Sequence, residues 1–480
     1  MPEKTIYWYD FESFGGDPRR DRASQFAGMR TDENLEAIGE PLMLHCRPAP
    51  DFLPDAMACL ITGITPQTAL EKGVAEAEFI ARIREQFARP GTCVAGYNNI
   101  RFDDELTRQL LYRNFFDAYE HEWRDGNSRW DIIDMARLCA AIRPEGINWP
   151  RNDEGAVTFR LEALCRANGI QHENAHDALS DVEATVALAR LIRDRQPRLY
   201  AYAYQLRHKD RVEGLIDLAS HKPILHVSGR YPARLGCLAL AVPVGAHPRN
   251  KNGVVVYDLR VDPRQWAGMS DEQLGGRLFV SRQELDELGG ERLPLKVLSR
   301  NRCPIIASPA VLPAENAAAF GIDRKACGAN WEYLTGNPRL MRRFCKLFGK
   351  DGFGKTEESD PDYQLYGGGF FSDSDRSHME TLRKTAPGEL GRYDFPFRDQ
   401  RLPEMLFRYR ARNYPDTLSA EEQERWREFR HGRLTDPAAS ERYRQSLDEA
   451  AASDLPGGDT VLPALEAYVA DIRASCAGAG

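Results

Sequence analysis

The chain has 480 residues, of which 42% are hydrophobic and 28% charged, so it is long enough for about three folded domains and has a globular composition. No apolar run approaches the ~20 residues that a membrane-spanning helix needs, and the chain begins without a signal-peptide pattern. We therefore expect a soluble, cytoplasmic protein. The formal net charge of −8 does not exclude nucleic-acid binding, because arginines along a groove can bind phosphates in an acidic protein.

The first 190 residues alternate short strands and helices. The patterns predict strands over residues 5–9, 41–47 and 92–96. They predict helices that begin at Pro66, after a Thr65 N-cap, at Asp103, and near Ala178. This alternation is typical of a layered α/β fold.

Two further regions follow. Short apolar segments separated by Gly, Pro and Asn predict a small β-rich domain, with strands over 224–227, 238–242, 253–257 and 278–280. After a Gly-, Asp-, Ser- and Lys-rich linker, the sequence predicts helices over 404–412, 420–431, 438–451 and 461–474. We place the domains at 1–195, 196–352 and 353–480.

Two acids lie at the end of the first predicted strand. Asp10 and Glu12 are two residues apart, so their side chains point to the same face of the strand. Such a pair is costly unless cations neutralise it, and hard oxygen ligands suit Mg²⁺ or Mn²⁺ better than zinc. Taken alone, Asp-x-Glu more often marks a solvated strand end.

Two helix starts carry further candidates. Asp103 opens a helix, where an acid commonly acts as a cap or complements the helix dipole, but Asp104 and Glu105 beside it leave one carboxylate for another task. His176 lies just before the helix near residue 178, and Asp181 lies in its first turns. A histidine at a helix start is more often structural, although this spacing can place a base beside a metal-bound water.

The combination is more informative than its parts. Four carboxylates and one imidazole follow one another through about 170 residues of α/β pattern. Two-metal phosphodiester hydrolysis needs such a set of ligands, and an imidazole with a pKa of ~6.5 can accept a proton near neutral pH.

These residues resemble the DEDD exonuclease superfamily in its histidine branch, because Asp177 stands where the other branch has tyrosine and His176 precedes it. Longer segments are similar to the bacterial exonuclease I family: 9–15 (YDFESFG), 60–66 (LITGITP), 96–105 (GYNNIRFDDE), 143–150 (RPEGINWP), 226–229 (HVSG) and 409–415 (YRARNYP). Residues 327–330 and 351–359 match less closely.

The resemblance implies an RNase H-like α/β exonuclease domain, an SH3-like β-barrel and an all-α C-terminal domain that completes a groove for single-stranded DNA. It implies processive 3′→5′ hydrolysis of single-stranded DNA to 5′-mononucleotides, in DNA repair and recombination. The implied cofactors are two Mg²⁺ ions, for which Mn²⁺ would substitute. The implied partner is the acidic C-terminal tail of single-stranded DNA-binding protein, with Arg143 and Lys222 as candidate contacts. We expect a monomer.

The resemblance also implies a role for each site residue. Metal ligands would be Asp10, Glu12, Asp103 and Asp181, and the general base would be His176. Glu12 would also touch the substrate, and the remaining implied DNA contacts are Arg160, Arg108, Tyr119, Trp123 and Arg137.

Local sequence bears on some of these contacts. Tyr119 and Trp123 lie in a polar stretch, where stacking on bases and packing against a neighbouring domain are equally good explanations. Arg408 and Arg412 share one face of a predicted helix, and Arg401 lies just ahead of its start. Such a charge run is usually a solvated face, but a basic stripe in an acidic protein also predicts a phosphate-binding face. The basic turn at 247–252 is a further candidate clamp.

Two alternatives stay open. A DEDD ribonuclease or proofreading exonuclease would share the five residues, although such enzymes are typically one compact domain. A strand-binding module with vestigial acids would share the groove without the reaction.

Overall fold

The computed structural model describes residues 4–172, 177–280, 284–285, 289, 291–349 and 358–477. Within these ranges, no helix combines the length and apolar character needed to cross a bilayer. The strands are β1 (Thr5–Ser13), β2 (Ala23–Asp32), β3 (Leu42–His45), β4 (Thr92–Gly96), β5 (Ser128–Asp131), β6 (Ile224–Val227), β7 (Leu238–Ala246), β8 (Gly253–Asp258), β9 (Leu295–Ser299) and β10 (Ile305–Ala307).

The α-helices of the described residues follow in chain order. They are α1 (Ala56–Thr62), α2 (Pro66–Lys72), α3 (Glu76–Phe87), α4 (Asp103–Arg113), α5 (Ile132–Ile142), α6 (Leu161–Ala167), α7 (Ala178–Arg195), α8 (Pro197–Gln205), α9 (Lys209–Glu213), α10 (Asp271–Leu278), α11 (Ala314–Ala319), α12 (Arg324–Thr335), α13 (Pro338–Leu347), α14 (Asp373–Lys384), α15 (Arg401–Asn413), α16 (Ala420–Leu434), α17 (Pro437–Ala451) and α18 (Gly458–Ala474).

The chain divides into two units. The first consists of Met1–Ser128, His172–Thr185 and Thr356–Gly480, and the second of Arg129–Gln171 and Val186–Lys355. The first unit therefore joins the amino-terminal strands to the carboxyl-terminal helices. The domain boundaries at 195/196 and 352/353 stay predictions.

The first sheet has the strand order β3-β2-β1-β4-β5. Strand β1 pairs antiparallel with β2 and parallel with β4, so it lies inside the sheet. Its first five residues, Thr5–Tyr9, are all buried, as expected for a strand covered on both faces. The strand predicted over 5–9 is confirmed and continues to Ser13, which carries both acids of the first pair within β1.

Helices α2 and α4 begin where the sequence places them. Thr65 caps α2 by accepting a hydrogen bond from the Thr68 amide at 3.2 Å, and Pro66 is the first helical residue. Helix α4 begins at Asp103 and packs Leu106 and Leu110 into a core shared with the sheet. Burial of that apolar stripe holds the amino-terminal end of α4 against β1.

The helical carboxyl-terminal region is confirmed, and it packs within the first unit. Leu60 of α1 shares a core with Leu465 and Val469 of α18. Phe115, just after α4, shares another with Met405 of α15. Burying such side chains stabilises the fold by roughly 1.5–3 kcal/mol each.

The arginine stripe of α15 is buried, so the prediction of a phosphate-binding face is wrong. Arg412 pairs with Asp51 at 2.8 Å and with Asp362 at 2.6 Å. Arg408 also pairs with Asp362, at 3.1 Å, and Arg401 with Asp399 at 2.7 Å. Arginine carries these buried pairs because its planar fork binds carboxylates bidentately.

The second unit contains an antiparallel sheet with the order β10-β6-β7-β8-β9. Three predicted strands there are confirmed as β6, β7 and β8. The strand predicted over 278–280 is wrong, because Leu278 ends α10. Ser270 and Gln273 form a capping box that starts this helix, and that local signal outweighs the short apolar run.

Candidate active site

Three carboxylates converge at β1. Asp10 and Glu12 come from the strand, and Asp181 comes from the first turn of α7. Oxygen atoms of all three lie within 4.8 Å of one another. Glu12 is buried, and Asp10 and Asp181 are partly buried. The strand period brings the first two together, as predicted, and the helix start supplies the third.

Asp103 lies against the same strand. Its Oδ1 accepts a hydrogen bond from the Phe11 amide at 3.1 Å, which places its carboxylate beside the residue between Asp10 and Glu12. The neighbouring Asp104 instead accepts a hydrogen bond from the Tyr9 hydroxyl at 2.6 Å. The two adjacent acids therefore make different contacts, which fits the expectation that a helix start with several acids leaves one of them free for another role.

The acids repel one another. Burial, and then the charges of Asp103, Glu12 and Asp181, raise the pKa of Asp10 well above its ordinary value. Burial, and then the charges of Asp181, Asp103 and Asp177, raise the pKa of Glu12 to about 9. A group of like charges in low dielectric favours either protons or cations.

The donor set fits hard divalent cations. All of its atoms are carboxylate oxygens, which are the ligands that Mg²⁺ and Mn²⁺ prefer. Their close approach is difficult to explain by folding alone, because the cluster raises the free energy of the ionised protein. The residues that would hold the cations are Asp10, Glu12 and Asp181, with Asp103 beside them.

His176 lies outside the described residues. A different histidine, His172, places its Nε2 against Oδ1 of Asp181, and its side chain is only 5% exposed. Sequence reasoning missed this residue. The signal was a second histidine four positions before His176.

Arg108, Tyr119 and Trp123 lie together in the first unit. The Arg108 guanidinium pairs with Glu122 at 2.7 Å and lies over the Tyr119 ring, 5.5 Å from its centroid. Trp123 is 67% exposed. Arg108 is a buried residue of α4, and the contact of its guanidinium with the ring holds Tyr119 in place.

The other sequence-predicted residues lie in the second unit. Arg137 pairs with Asp134 at 2.6 Å and stacks over Phe159. Arg160 precedes α6 and is exposed, as are Arg143 and Lys222.

Three family models match the chain in succession. Residues 7–189 match "Exonuclease", residues 207–350 match "Exonuclease I SH3-like domain", and residues 359–472 match "Exonuclease I C-terminal domain". Exodeoxyribonuclease I of Escherichia coli is 45% identical over 429 residues, which is 89% of each chain. The chain belongs to the exonuclease I family. The order of an RNase H-like domain, an SH3-like domain and a helical domain is thereby confirmed.

Further exonuclease I proteins are similar to this chain in sequence and in structure. Exodeoxyribonuclease I of Haemophilus influenzae is 43% identical over 90% of each chain. The E. coli exonuclease I crystallised with a dA16 oligonucleotide superimposes with a TM-score of 0.93 at 42% identity, covering 98% of this chain and all of that one. Exonuclease I from Methylocaldum szegediense gives 0.91 at 49% identity, with the same coverage.

Proposed function

We propose that this chain hydrolyses single-stranded DNA processively from its 3′ end and releases 5′-mononucleotides. The observation that carries the proposal is the convergence of Asp10, Glu12 and Asp181 on one point, with Asp103 against the same strand, in a member of the exonuclease I family. Membership supports the substrate, since the E. coli relative crystallised with a dA16 oligonucleotide.

The proposed cofactors are two Mg²⁺ ions, with Mn²⁺ as a substitute. The family is divalent-metal dependent, and a zinc-bound form of the E. coli exonuclease I–DNA complex has been solved. When bound, such ions supply Lewis-acid stabilisation of the attacking and leaving oxygens. Asp10, Glu12, Asp103 and Asp181 would hold them, and the closeness of these carboxylates supports this assignment.

The chain's own groups handle the proton and the substrate. His176 is proposed to accept the proton from the attacking water, because an imidazole titrates near neutral pH. Substrate contacts are proposed for Glu12, Arg108, Tyr119, Trp123, Arg137 and Arg160.

A protein partner is also proposed. An E. coli structure is described as SSB/exonuclease I in complex with an inhibitor, and we extend that interaction to this chain. The acidic tail of single-stranded DNA-binding protein would meet the exposed cations Arg143 and Lys222. We further propose that the protein acts as a monomer in the cytoplasm, in DNA repair and recombination.

The substrate class is tested by comparing equal-length single-stranded DNA, RNA and duplex DNA as substrates in Mg²⁺. We expect single-stranded DNA to be degraded fastest, with mononucleotide product. Faster degradation of RNA would instead support the DEDD ribonuclease. Binding of DNA without any cleavage, in Mg²⁺ or Mn²⁺, would support the strand-binding module. Asp181→Ala serves as the matched control, because it should retain most DNA binding while losing turnover.

A further inference from the structure

A cavity of about 250 Å³ lies beside the start of β1 in the first unit. Tyr7 and Arg30 line it from β1 and β2, Arg89 lines it from the turn after α3, and residues 38–42 line it from the segment that leads into β3. Its volume is below the ~300–1,000 Å³ of sites for drug-sized ligands, so the cavity suits a small molecule or ion. It is separate from the carboxylate cluster, because Tyr7 is three residues from Asp10 and points to the other face of β1.

Arg30 is a buried cation whose hydrogen-bond acceptors are all uncharged. It stands opposite Tyr7 in the register of β1 and β2 and is only 6% exposed. One terminal nitrogen donates to the hydroxyls of Thr5 and Thr92, at 2.6 and 3.0 Å, and the other donates to the carbonyl oxygen of Gln86 at 2.7 Å. Its Nε has no partner among the described residues. Because burying a lone charge is costly, a buried arginine is normally paired with an anion.

The surroundings of Arg30 add positive charge. Burial, and then the charge of Arg89, lower the pKa of Arg30 to about 10, whereas a carboxylate partner would raise it. Arg89 itself is exposed at the cavity. Glu40 also lines the cavity, but it is exposed, so water and salt screen its charge. Two guanidinium groups therefore line one small cavity without a buried anion to balance them.

The Tyr7 hydroxyl is a further donor, buried and without a partner in the described part of the chain. Burial raises the pKa of Tyr7 well above its usual value, so the hydroxyl keeps its proton and can donate it. The ring lies 4.9 Å from the Arg30 guanidinium and meets Phe87 edge to face at 5.7 Å. Gly28 leaves the space that the ring occupies, since a Cβ there would lie 2.6 Å from the hydroxyl oxygen. These contacts fix the hydroxyl at the cavity.

We propose that this cavity binds a small phosphate anion, with Arg30, Arg89 and the Tyr7 hydroxyl as its donors. A phosphate monoester carries close to two negative charges at pH 7, which match the two guanidinium groups. Its oxygens accept hydrogen bonds from several directions, whereas a planar carboxylate is best bound by a single guanidinium fork. Because the site is separate from the carboxylate cluster, the protein should bind phosphate there whether or not it cleaves DNA.

The test measures thermal melting in EDTA as inorganic phosphate is added, against potassium chloride of equal ionic strength, because phosphate also stabilises proteins non-specifically. We expect a saturable rise of the melting temperature of the wild type, from which an affinity follows. Tyr7→Phe and Arg89→Ala should each weaken that affinity by about 10-fold or more, as loss of a hydrogen bond to a charged group does. Both variants keep Arg30 and its hydrogen bonds, so they should fold. Arg82→Ala is the matched control, because it removes an exposed arginine of α3 outside the cavity and should respond like the wild type.

Two further ligands identify the source of the phosphate. Tighter binding of dTMP than of inorganic phosphate, lost in Tyr7→Phe, would indicate a nucleotide monoester, and equal or weaker binding would indicate free phosphate. Glu40→Gln should strengthen binding of either one by roughly 2–5-fold, because it removes a nearby negative charge. Tyr7→Phe and Arg89→Ala proteins that respond to phosphate like the wild type would overturn the proposal. An affinity for oligo-dT that falls in Arg89→Ala but not in Arg82→Ala would also overturn it, since the cavity would then belong to the path of the DNA.

Discussion

Replacing Glu12 with glutamine removes one titratable group from the carboxylate cluster, and we expect the metal-free protein to become more stable. Glu12 is 8% exposed, and burial together with Asp181 and Asp103 raises its pKa from 4.5 to about 9. The folded protein therefore binds a proton at pH 7 that the unfolded chain has released. Glutamine keeps the shape of the side chain and needs no proton.

The magnitude follows from the pKa difference. A pH of 7 lies about 2.5 units above the pKa of this carboxyl in the unfolded chain, and each unit corresponds to about 1.4 kcal/mol. Keeping Glu12 protonated therefore costs on the order of 3 kcal/mol at pH 7. Because the folded pKa is raised, the destabilising contribution of Glu12 is absent below pH 4.5 and grows as the pH rises towards about 9. The advantage of Glu12→Gln should grow over the same interval.

Glu76 supplies a matched control of opposite sign. It is equally buried, at 8%, but it pairs with Arg113 at 3.0 Å. Burial alone would raise its pKa, yet Arg113 and Arg22 outweigh burial and lower it to about 2. Its contribution is present above pH 4.5 and is lost as the pH falls towards 2, so Glu76→Gln should destabilise the protein by roughly 3–5 kcal/mol at neutral pH.

The assay is thermal melting in EDTA at several pH values between about 5 and 9. We expect Glu12→Gln to raise the melting temperature by a few degrees at pH 7 and by less at pH 5. We expect Glu76→Gln to lower the melting temperature at both pH 5 and pH 7. Excess Mg²⁺ should stabilise the wild type more than Glu12→Gln, because a ligand that binds the folded state shifts the equilibrium. A lower melting temperature for Glu12→Gln at pH 7 in EDTA would show that Glu12 does not destabilise the folded, metal-free protein.

Three further outcomes are expected. His172→Ala should raise the Mg²⁺ concentration needed for half-maximal activity by about 10–100-fold, as loss of a group that orients a ligand does; an unchanged titration would remove His172 from the site. Arg412→Ala should lower the free energy of unfolding by about 3–5 kcal/mol in urea titrations, because it removes a buried ion-pair partner from both Asp51 and Asp362. Tyr119→Ala should raise KM for oligonucleotides more than it changes kcat in steady-state assays, and an equal fall of kcat would place Tyr119 at the chemistry instead.

The carboxylate pair was predictable because strand geometry is local. Asp10 and Glu12 share a face by the two-residue period alone, and the over-supply of acids after Phe102 indicated that Asp103 was free for another task. The helix start at Thr65 and Pro66 was equally predictable, since an N-cap residue and a proline at the first helical position are short-range signals.

The burial of the arginine side chains of α15 was not predictable from the sequence. The arginines of α15 have the spacing of an exposed basic stripe, and only the fold brings Asp51, more than 350 residues away in sequence, to Arg412 at 2.8 Å. Strand β2 was missed for a related reason. It buries polar residues such as Ser24 and Gln25, so its sequence lacks the apolar alternation that marks a strand.

The most direct test uses single-stranded DNA labelled at its 5′ end, incubated with wild type or Asp181→Ala, in Mg²⁺ and in EDTA. We expect the wild type to shorten the DNA stepwise from the 3′ end in Mg²⁺ and to leave it intact in EDTA. Asp181→Ala should be nearly inactive, because it removes one of three carboxylates whose oxygens lie within 4.8 Å. Cleavage that persists in EDTA, or a variant as fast as the wild type, would contradict the assignment of the reaction to this cluster.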